Sequence, residues 1–475
     1  MRNVLLVIAD DMGQEQVSAY GINLNPDNYA STPNVNRLAQ QGVRFNRYYT
    51  QPWCSPTRAA VLTGSWGFMT GIGSLSDRQN QPLLGGEVCL PAAIKAATNN
   101  AYTTALIGKH HLSTNLTYGG ALKHPVNCGF DWWQGALLNF EGASNENYYN
   151  WNRVTSYRQG NDIKVDRRVC FEYAGLQQAY DAVDWISRQE KPWFCQVAMN
   201  LPHSPLARPP SYMFDTERWD CPSLYPPDTT YTYIRNYFKA MVEAMDWTLG
   251  YILDNIPQDV LANTTIIFTT DNGTGDPAAD PEYQSIFGPV NHFKNSPYEL
   301  GIRNPMIFAG SGVKGSGRST DAICAAPDLF MTVIDAVGGD VGLIPANPAH
   351  GRPSTSMWPV VLGSATTLRT FAWTDNFSPN GPNLNCSTLG TRTMRYDRYK
   401  LIRQRTTGVT GFPASPVGVG NLTDELYDLV TDSLELTNLI AGAFDLTALE
   451  ASHPGITAAY DNAVSTYSTW TSSYA

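Results

Sequence analysis

The sequence predicts an α/β fold: a large mixed, mainly parallel sheet sandwiched by helices, with a smaller C-terminal antiparallel-sheet domain. Three observations carry this expectation. Short apolar runs of strand length alternate with segments of helical period, the pattern of crossover-connected parallel strands. Several of those runs end in acidic, basic or imidazole side chains. Beyond residue 365 the texture changes to short alternating segments, which sets the expected boundaries at 1–365 for a catalytic domain and 366–475 for the smaller α+β domain.

Each element has its own warrant. "NVLLVIADD" (3–11) is a continuous apolar run closed by two acids, as expected of a buried parallel strand whose C-terminal end carries function. "STPNVNRLAQQGVRF" (31–45) has a Ser/Thr cap, an early Pro and Gly42 as a stop, hence a helix. "AYTTALIGKHH" (101–111) and "WFCQVAMNLPHSP" (193–205) repeat the strand-to-polar-loop design. "YTYIRNYFKAMVEAMDWTLGYILDNI" (231–256) is the longest helical pattern, and "NTTIIFTTDNG" (263–273) is a strand ending in Asp-Asn-Gly. "RTFAWTDN", "TRTMRYDRYKLIRQ" and "DELYDLVTDSLELTNLI" read as antiparallel strands followed by a helix. The aromatic and Asn-rich stretch 131–153 reads as a loop near the strand ends.

Composition narrows the function. A length of 475 residues suits one large domain plus a smaller one, and 43% hydrophobic residues suit a sizeable core. Charged residues are only 16%, and the net charge is −10 with no Lys/Arg-rich run, which argues against a nucleic-acid partner. An anionic substrate therefore needs a local positive site. No apolar run reaches membrane-spanning length. A strand pattern beginning at residue 3 leaves no room for a leader, so the expectation is a cytoplasmic chain, or a periplasmic or secreted one from which a leader was removed. The 8 cysteines show no CxxC spacing, which argues against structural zinc. Sequons at Asn115, Asn263, Asn376, Asn385 and Asn421 are expected by chance in an Asn/Thr-rich chain.

In "QPWCSPTRAAVLTG" (51–64), Ser55 is a good N-cap, Pro56 fits the first helical turn and Gly64 is a stop. Cys54 then lies at a helix N-terminus, with Arg58 one turn on along the same face. A buried structural thiol, a disulfide half, a nucleophile and a precursor residue all remain open on this pattern. Asp10-Asp11 and Asp271-Asn272 end two strands; were those strands neighbours, three carboxylates and an amide oxygen would converge, a donor set for Ca²⁺ ahead of Mg²⁺. The plainer reading is that Asp and Asn favour turns after strands. "GKHHL", "NLPHSP" and "NHFKNSPYELGIR" add Lys109, His110, His111, His203 and Lys294, each of which alone reads as a solvated surface residue.

Taken in order, these motifs resemble the type I, formylglycine-dependent sulfatases of the alkaline-phosphatase superfamily. Cys54-Ser-Pro-Thr-Arg58 followed by Leu62-Thr63-Gly64 matches that family's modification signature, and "ADD", "GKxH", "PHxP", "TTDNG" and "K…YELGIR" occur collinearly over residues 3–440. The resemblance implies an alkaline-phosphatase-like sheet and a sulfuric ester hydrolase acting on a sulfated small molecule or saccharide. It also implies conversion of Cys54 to formylglycine, before folding, by a formylglycine-generating enzyme. The hydrated aldehyde bears two hydroxyls: one attacks sulfur, and the other collapses to expel sulfate. By matched position, Asp10, Asp11, Asp271, Asn272 and residue 54 hold the cation, and Arg58 steadies the hydrate. Lys109 and Lys294 hold sulfate oxygens, His111 takes the second hydroxyl's proton, and His203 protonates the leaving oxygen. His110 has no matched role and is expected to line the pocket. Histidine after Lys109 and the non-basic segment "SWGFMTGIG" (65–73) depart from the family pattern and are expected to alter the pocket wall. The aromatic stretch 131–153 suits a stacked sugar ring or an aryl ester, with a carbohydrate sulfate preferred. The alternatives are a phosphonate monoester or phosphodiester hydrolase on the same scaffold, and a catalytically silent metal-bound or carbohydrate-binding relative. A complete set of charged site residues argues against the silent one.

Overall fold

The computed structural model describes all residues except 23–24, 77–82, 84–85, 114–119, 141–145, 229, 276–291, 348–349, 379, 381–389, 406–421, 443 and 474–475. Cys386 and the sequons at Asn115, Asn385 and Asn421 lie outside the described residues.

The main sheet has ten strands in the order β11 (Arg318–Thr320), β2 (Val43–Phe45), β10 (Met306–Gly310), β9 (Thr264–Thr270), β1 (Asn3–Ala9), β8 (Trp193–Ala198), β4 (Thr103–Gly108), β5 (Trp132–Gly135), β6 (Trp151–Gln159) and β7 (Asp162–Cys170). Only β10 and β6 run against the others. The expected mixed, mainly parallel sheet is what forms.

Burial explains why β1 is apolar from Val4 to Ala9. Val4, Leu6 and Ile8 enter one core, with the helices Cys54–Thr63, Leu90–Ala97 and Asp328–Val337. Leu5, Val7 and Ala9 enter the other, with the helices Pro33–Gln41, Ala174–Ser187 and Tyr231–Asn255. Side chains alternate faces along a strand, so a strand covered on both faces has no polar phase.

The remaining strands, β13 (Phe371–Asn376), β14 (Gly390–Tyr396), β15 (Tyr399–Arg405) and β16 (Leu422–Asp428), form an antiparallel sheet in chain order. Its core takes in Tyr49, Trp66 and Phe68 from the N-terminal part, and the helix Ile456–Ser473 covers it. The two-stranded pair of β3 (Tyr48–Tyr49) and β12 (Cys324–Ala325) lies between.

Two expectations are corrected. The stretch 131–153 is not simply a loop: it contributes β5 and the start of β6, and Trp133, Phe140, Tyr148 and Trp151 are buried in the cores. Burying rings of this size is worth more than leaving them exposed, whatever the local Asn and Gly content suggests. The segment 65–73 faces the C-terminal sheet: Trp66 is buried and Phe68 packs edge-on against Trp373 with centroids 5.9 Å apart.

Candidate functional site

Register brings the polar strand ends together. Ala9 of β1 pairs with Thr270 of β9, and Gly108 of β4 pairs with Ala198 of β8. The ladder runs on past the strands: Asp271 N donates to Ala9 O, Asp10 N to Leu201 O, and Lys109 N to Ala198 O (3.1, 2.9 and 2.7 Å). Asp10, Asp271, Lys109 and the His203 loop thus leave the sheet side by side, where ligands of open α/β sheets bind. Gly108 is obligatory here, because it has φ +100° and a Cβ would sit 2.0 Å from Ala198 O.

The helix carrying the cysteine begins two residues earlier than the caps suggest. It runs Cys54–Thr63 with Trp53 at the N-cap, and it stops at Gly64 as expected. Ser55 is not the cap: its hydroxyl donates to His111 O at 2.8 Å and accepts from Ser76 N at 2.9 Å, which ties the helix start to the Lys109–His111 loop. A long-range partner outcompetes the local cap.

Cys54 Sγ donates to Asp10 Oδ1 at 3.3 Å and approaches Asp11 Oδ1 at 3.8 Å. Arg58 reaches from the same helix to Asp271 Oδ2 with Nε at 3.1 Å and Nη2 at 2.7 Å, and its Nη1 donates to Lys109 O. Lys109 Nζ pairs with Asp10 Oδ2. Lys294 Nζ donates to Asp11 Oδ2 at 2.7 Å and lies 3.1 Å from His203 Nε2. His203 Nδ1 donates to Ser204 O at 2.7 Å, which fixes the ring and aims Nε2 at Lys294. Lys294 is placed by Lys294 N on Thr274 O and Asn295 N on Pro52 O (3.1 and 3.0 Å).

All of these side chains are buried, so their charges act at short range in a weakly screening interior. Burial alone would raise the carboxyls of Asp10 and Asp11. Lys109, His203 and Arg58 outweigh it at Asp10, and His203 and Lys294 at Asp11, so both are held low. Asp271 goes the other way, raised by burial and by Asp10 despite Arg58. Burial, then the carboxylates of Asp10 and Asp271, push the Cys54 thiol well up, which keeps it a donor. Burial, Lys109 and Arg58 push His111 well down, so its imidazole is neutral and has a lone pair for a proton.

The donor set fits a hard cation. Ligand atoms of Asp10, Asp11, Cys54 and His203 all lie within 4.8 Å of one another. Asp271 Oδ1 accepts from Asp11 N, and Asn272 Nδ2 donates to Asp11 Oδ1 at 2.7 Å. Asn272 Oδ1 is buried and accepts no hydrogen bond among the described residues. An orphan acceptor beside three carboxylates is the arrangement that an oxygen-seeking divalent ion satisfies.

A cavity of about 240 Å³ opens onto this cluster, lined by Asp11, His203 and Lys294 together with Trp53, Leu75, Asn139, Ser204, Leu206, Phe238 and Asn295. His110, expected to line it, does not. Its Nε2 is 2.8 Å from His124 Nδ1 and its ring packs on Trp133, so the residue after Lys109 turns into the core. Among the described residues of the stretch 131–153, only Asn139 lines the cavity.

The sequence model of the Sulfatase family matches residues 2–339. The chain belongs to the sulfatase family. It is 28% identical over 359 residues to N-acetylgalactosamine-6-sulfatase of Homo sapiens, covering 71% of this chain and 62% of that protein. The chain thus spans less than two thirds of that relative's length. The sulfatase fold extends over nearly all of it: the PsFucS1 sulfatase from Pseudoalteromonas sp. superposes with a TM-score of 0.70 at 19% identity, covering 98% of this chain and 90% of that one. BT4656, solved with its substrate D-glucosamine-2-N,6-O-disulfate, gives a TM-score of 0.66 at 18% identity, covering 98% of each chain.

The sequence reading missed one contributor to this sulfatase site. Asn376, the last residue of β13, accepts Trp53 Nε1–H at 3.2 Å and donates to Asn295 O at 3.3 Å. It links the helix start carrying Cys54 to the segment carrying Lys294. The signal was present: "FAWTDN" is another strand ending in Asp-Asn.

Proposed function

We propose that the protein hydrolyses sulfate esters of carbohydrates, with residue 54 converted to formylglycine by a maturation enzyme before folding and Ca²⁺ held by Asp10, Asp11, Asp271, Asn272 and residue 54. The observation that carries this reading is the junction of Cys54, three carboxylates and three cations at the base of one cavity. Arg58, Lys109 and Lys294 cancel the carboxylates, so a divalent cation leaves the site positive, as an anionic ester requires in a chain of net charge −10. When present, formylglycine supplies a hydrated aldehyde whose hydroxyl is the nucleophile and whose second hydroxyl permits sulfate release. When bound, the cation supplies positive charge where negative charge develops on the ester oxygens.

The chain's own residues do the rest. Arg58, anchored on Asp271, steadies residue 54 at the helix start. Lys109 and Lys294 turn ammonium donors toward sulfate oxygens. His203, with Nδ1–H tied to Ser204 O, keeps Nε2 as the atom that carries a proton to the leaving oxygen. Neutral His111 accepts the proton of the second hydroxyl. We divide the chain at residue 365, with the smaller part, 366–475, contributing Asn376, which bonds to the wall residues Trp53 and Asn295.

A sugar is favoured over an aryl group because the cavity wall mixes Trp53, Leu206 and Phe238 with Asn139, Ser204 and Asn295, apolar faces interleaved with hydrogen-bonding groups. The names of N-acetylgalactosamine-6-sulfatase and of the disulfated glucosamine bound to BT4656 point the same way. The test is release of inorganic sulfate from sugar sulfates by protein co-produced with a formylglycine-generating enzyme, beside the matched phosphonate esters. Faster turnover of the sulfate ester is expected; faster turnover of the phosphonate would replace this reading.

A further inference from the structure

Behind the Lys109–His111 loop lies a second group of reactive side chains that the proposed hydrolysis does not use. Cys89 caps the helix Leu90–Ala97, and Cys128 follows the short helix His124–Asn127. Both are buried in the same core, and each thiol lies within interaction range of the other. Cys128 Sγ lies 3.5 Å from His124 Nδ1, and His124 Nε2 donates to Leu83 O at 2.9 Å. That second bond leaves Nδ1 as the ring atom that faces both the sulfur and His110 Nε2, 2.8 Å away.

The backbone brings the pair together. Gly129, at φ +105°, lets the chain after Cys128 press onto the first turn of the Leu90–Ala97 helix, and a Cβ there would lie 2.6 Å from Ala92 N. The thiols are therefore held as neighbours on two rigid elements, one at a helix start and one just past a helix end.

We propose that Cys89 and Cys128 are a disulfide site, closed by exchange with a small-molecule or protein disulfide. Cys128, its proton taken by His124 Nδ1, attacks one sulfur of the incoming disulfide and expels a thiolate, which takes up that proton. Cys89 then loses its proton through the same imidazole and attacks the Cys128 sulfur of the mixed disulfide. The second thiol leaves, so two electrons pass from the cysteine pair to the reagent, which departs as two thiols. The burial-opposed lowering of Cys128 by Cys89 and His124 agrees with its role as the attacking sulfur.

The bond would close the segment 89–128, which contains β4 and the turn bearing Lys109 and His111. It would thus tie the loop that carries two proposed site residues to the helix behind it. This inference does not depend on the sulfatase chemistry.

The experiment is peptide mapping of the full chain, refolded and equilibrated in glutathione buffers from reducing to oxidising, then acid-quenched, alkylated and digested without reduction. Under oxidising conditions the Cys89 and Cys128 peptides should appear joined, lighter than their sum by two hydrogens. Both should disappear from the alkylated pool while Cys195 and Cys324 remain in it. The oxidised protein should melt higher than the reduced one, and Cys128→Ser should abolish both the linked pair and that difference. Complete alkylation of Cys89 and Cys128 at the most oxidising ratio would overturn the proposal, as would either residue pairing with a different cysteine.

Discussion

Asn376→Ala tests whether the C-terminal sheet takes part in the reaction. The side chain bridges Trp53, which caps the helix start beside Cys54, and Asn295, which follows Lys294. Lys294 Nζ also sits over the Trp53 ring, 5.9 Å from its centroid. Removing the amide breaks two hydrogen bonds, each worth about 1 kcal/mol net, and frees residue 54 and Lys294 to move independently. If that 2 kcal/mol or so is expressed in the transition state, kcat/KM falls roughly 30-fold. The assay is steady-state sulfate release from a sugar sulfate alongside a thermal melt. Asn376→Asp, which keeps the acceptor for Trp53 and loses the donor to Asn295, should fall between alanine and wild type. Should Asn376→Ala melt earlier yet keep kcat/KM within about twofold of wild type, the residue is only structural and the reasoning fails.

Two further outcomes are expected. Burial pushes Asp246, which accepts from Val35 N and Asn34 N at the start of the Pro33–Gln41 helix, up to about 6. A raised carboxyl contributes stability that is present below its unfolded pKa and lost as pH rises through the folded one. Wild type should therefore lose about 2 kcal/mol relative to Asp246→Asn between about pH 4 and pH 6, and urea unfolding at both pH values showing no such difference would contradict this. Calcium at about 100 times its dissociation constant should stabilise the chelator-stripped protein by about 2.7 kcal/mol, and Asn272→Ala should sharply reduce that gain; an equal thermal shift in the variant would remove Asn272 from the cation site.

Much of this was legible because it is local or periodic. The double burial of β1 shows as an unbroken apolar run, and the strands β1, β4, β8 and β9 each give way to Asp, Lys or His near their C-terminal ends. That Asp10 and Asp271 meet could be posed from sequence only as a condition, since it depends on β1 and β9 being neighbours. What misled were local rules overruled by distant partners. Ser55 looks like a cap but bonds to His111, and His110 sits in a polar motif but turns to His124. The Asn-rich aromatic stretch around 131–153 places its rings in the cores because their area outweighs its loop-like composition. Asn376 ends a strand in Asp-Asn, but its importance lies in two hydrogen bonds to residues far away in the chain.

Sustained turnover requires two hydroxyls on one carbon at residue 54. Rapid-mix assay of Cys54→Ser with an excess of a chromogenic sulfate ester tests it directly. Serine keeps one hydroxyl at the helix start beside Arg58 and Asp10, so attack on sulfur remains available. The expected result is release of at most about one alcohol per site, followed by a stall with the peptide that spans position 54 heavier by a sulfate group, while the modified wild type turns over continuously. Sustained turnover by Cys54→Ser at the rate of modified wild type, with no sulfated peptide, would contradict the claim.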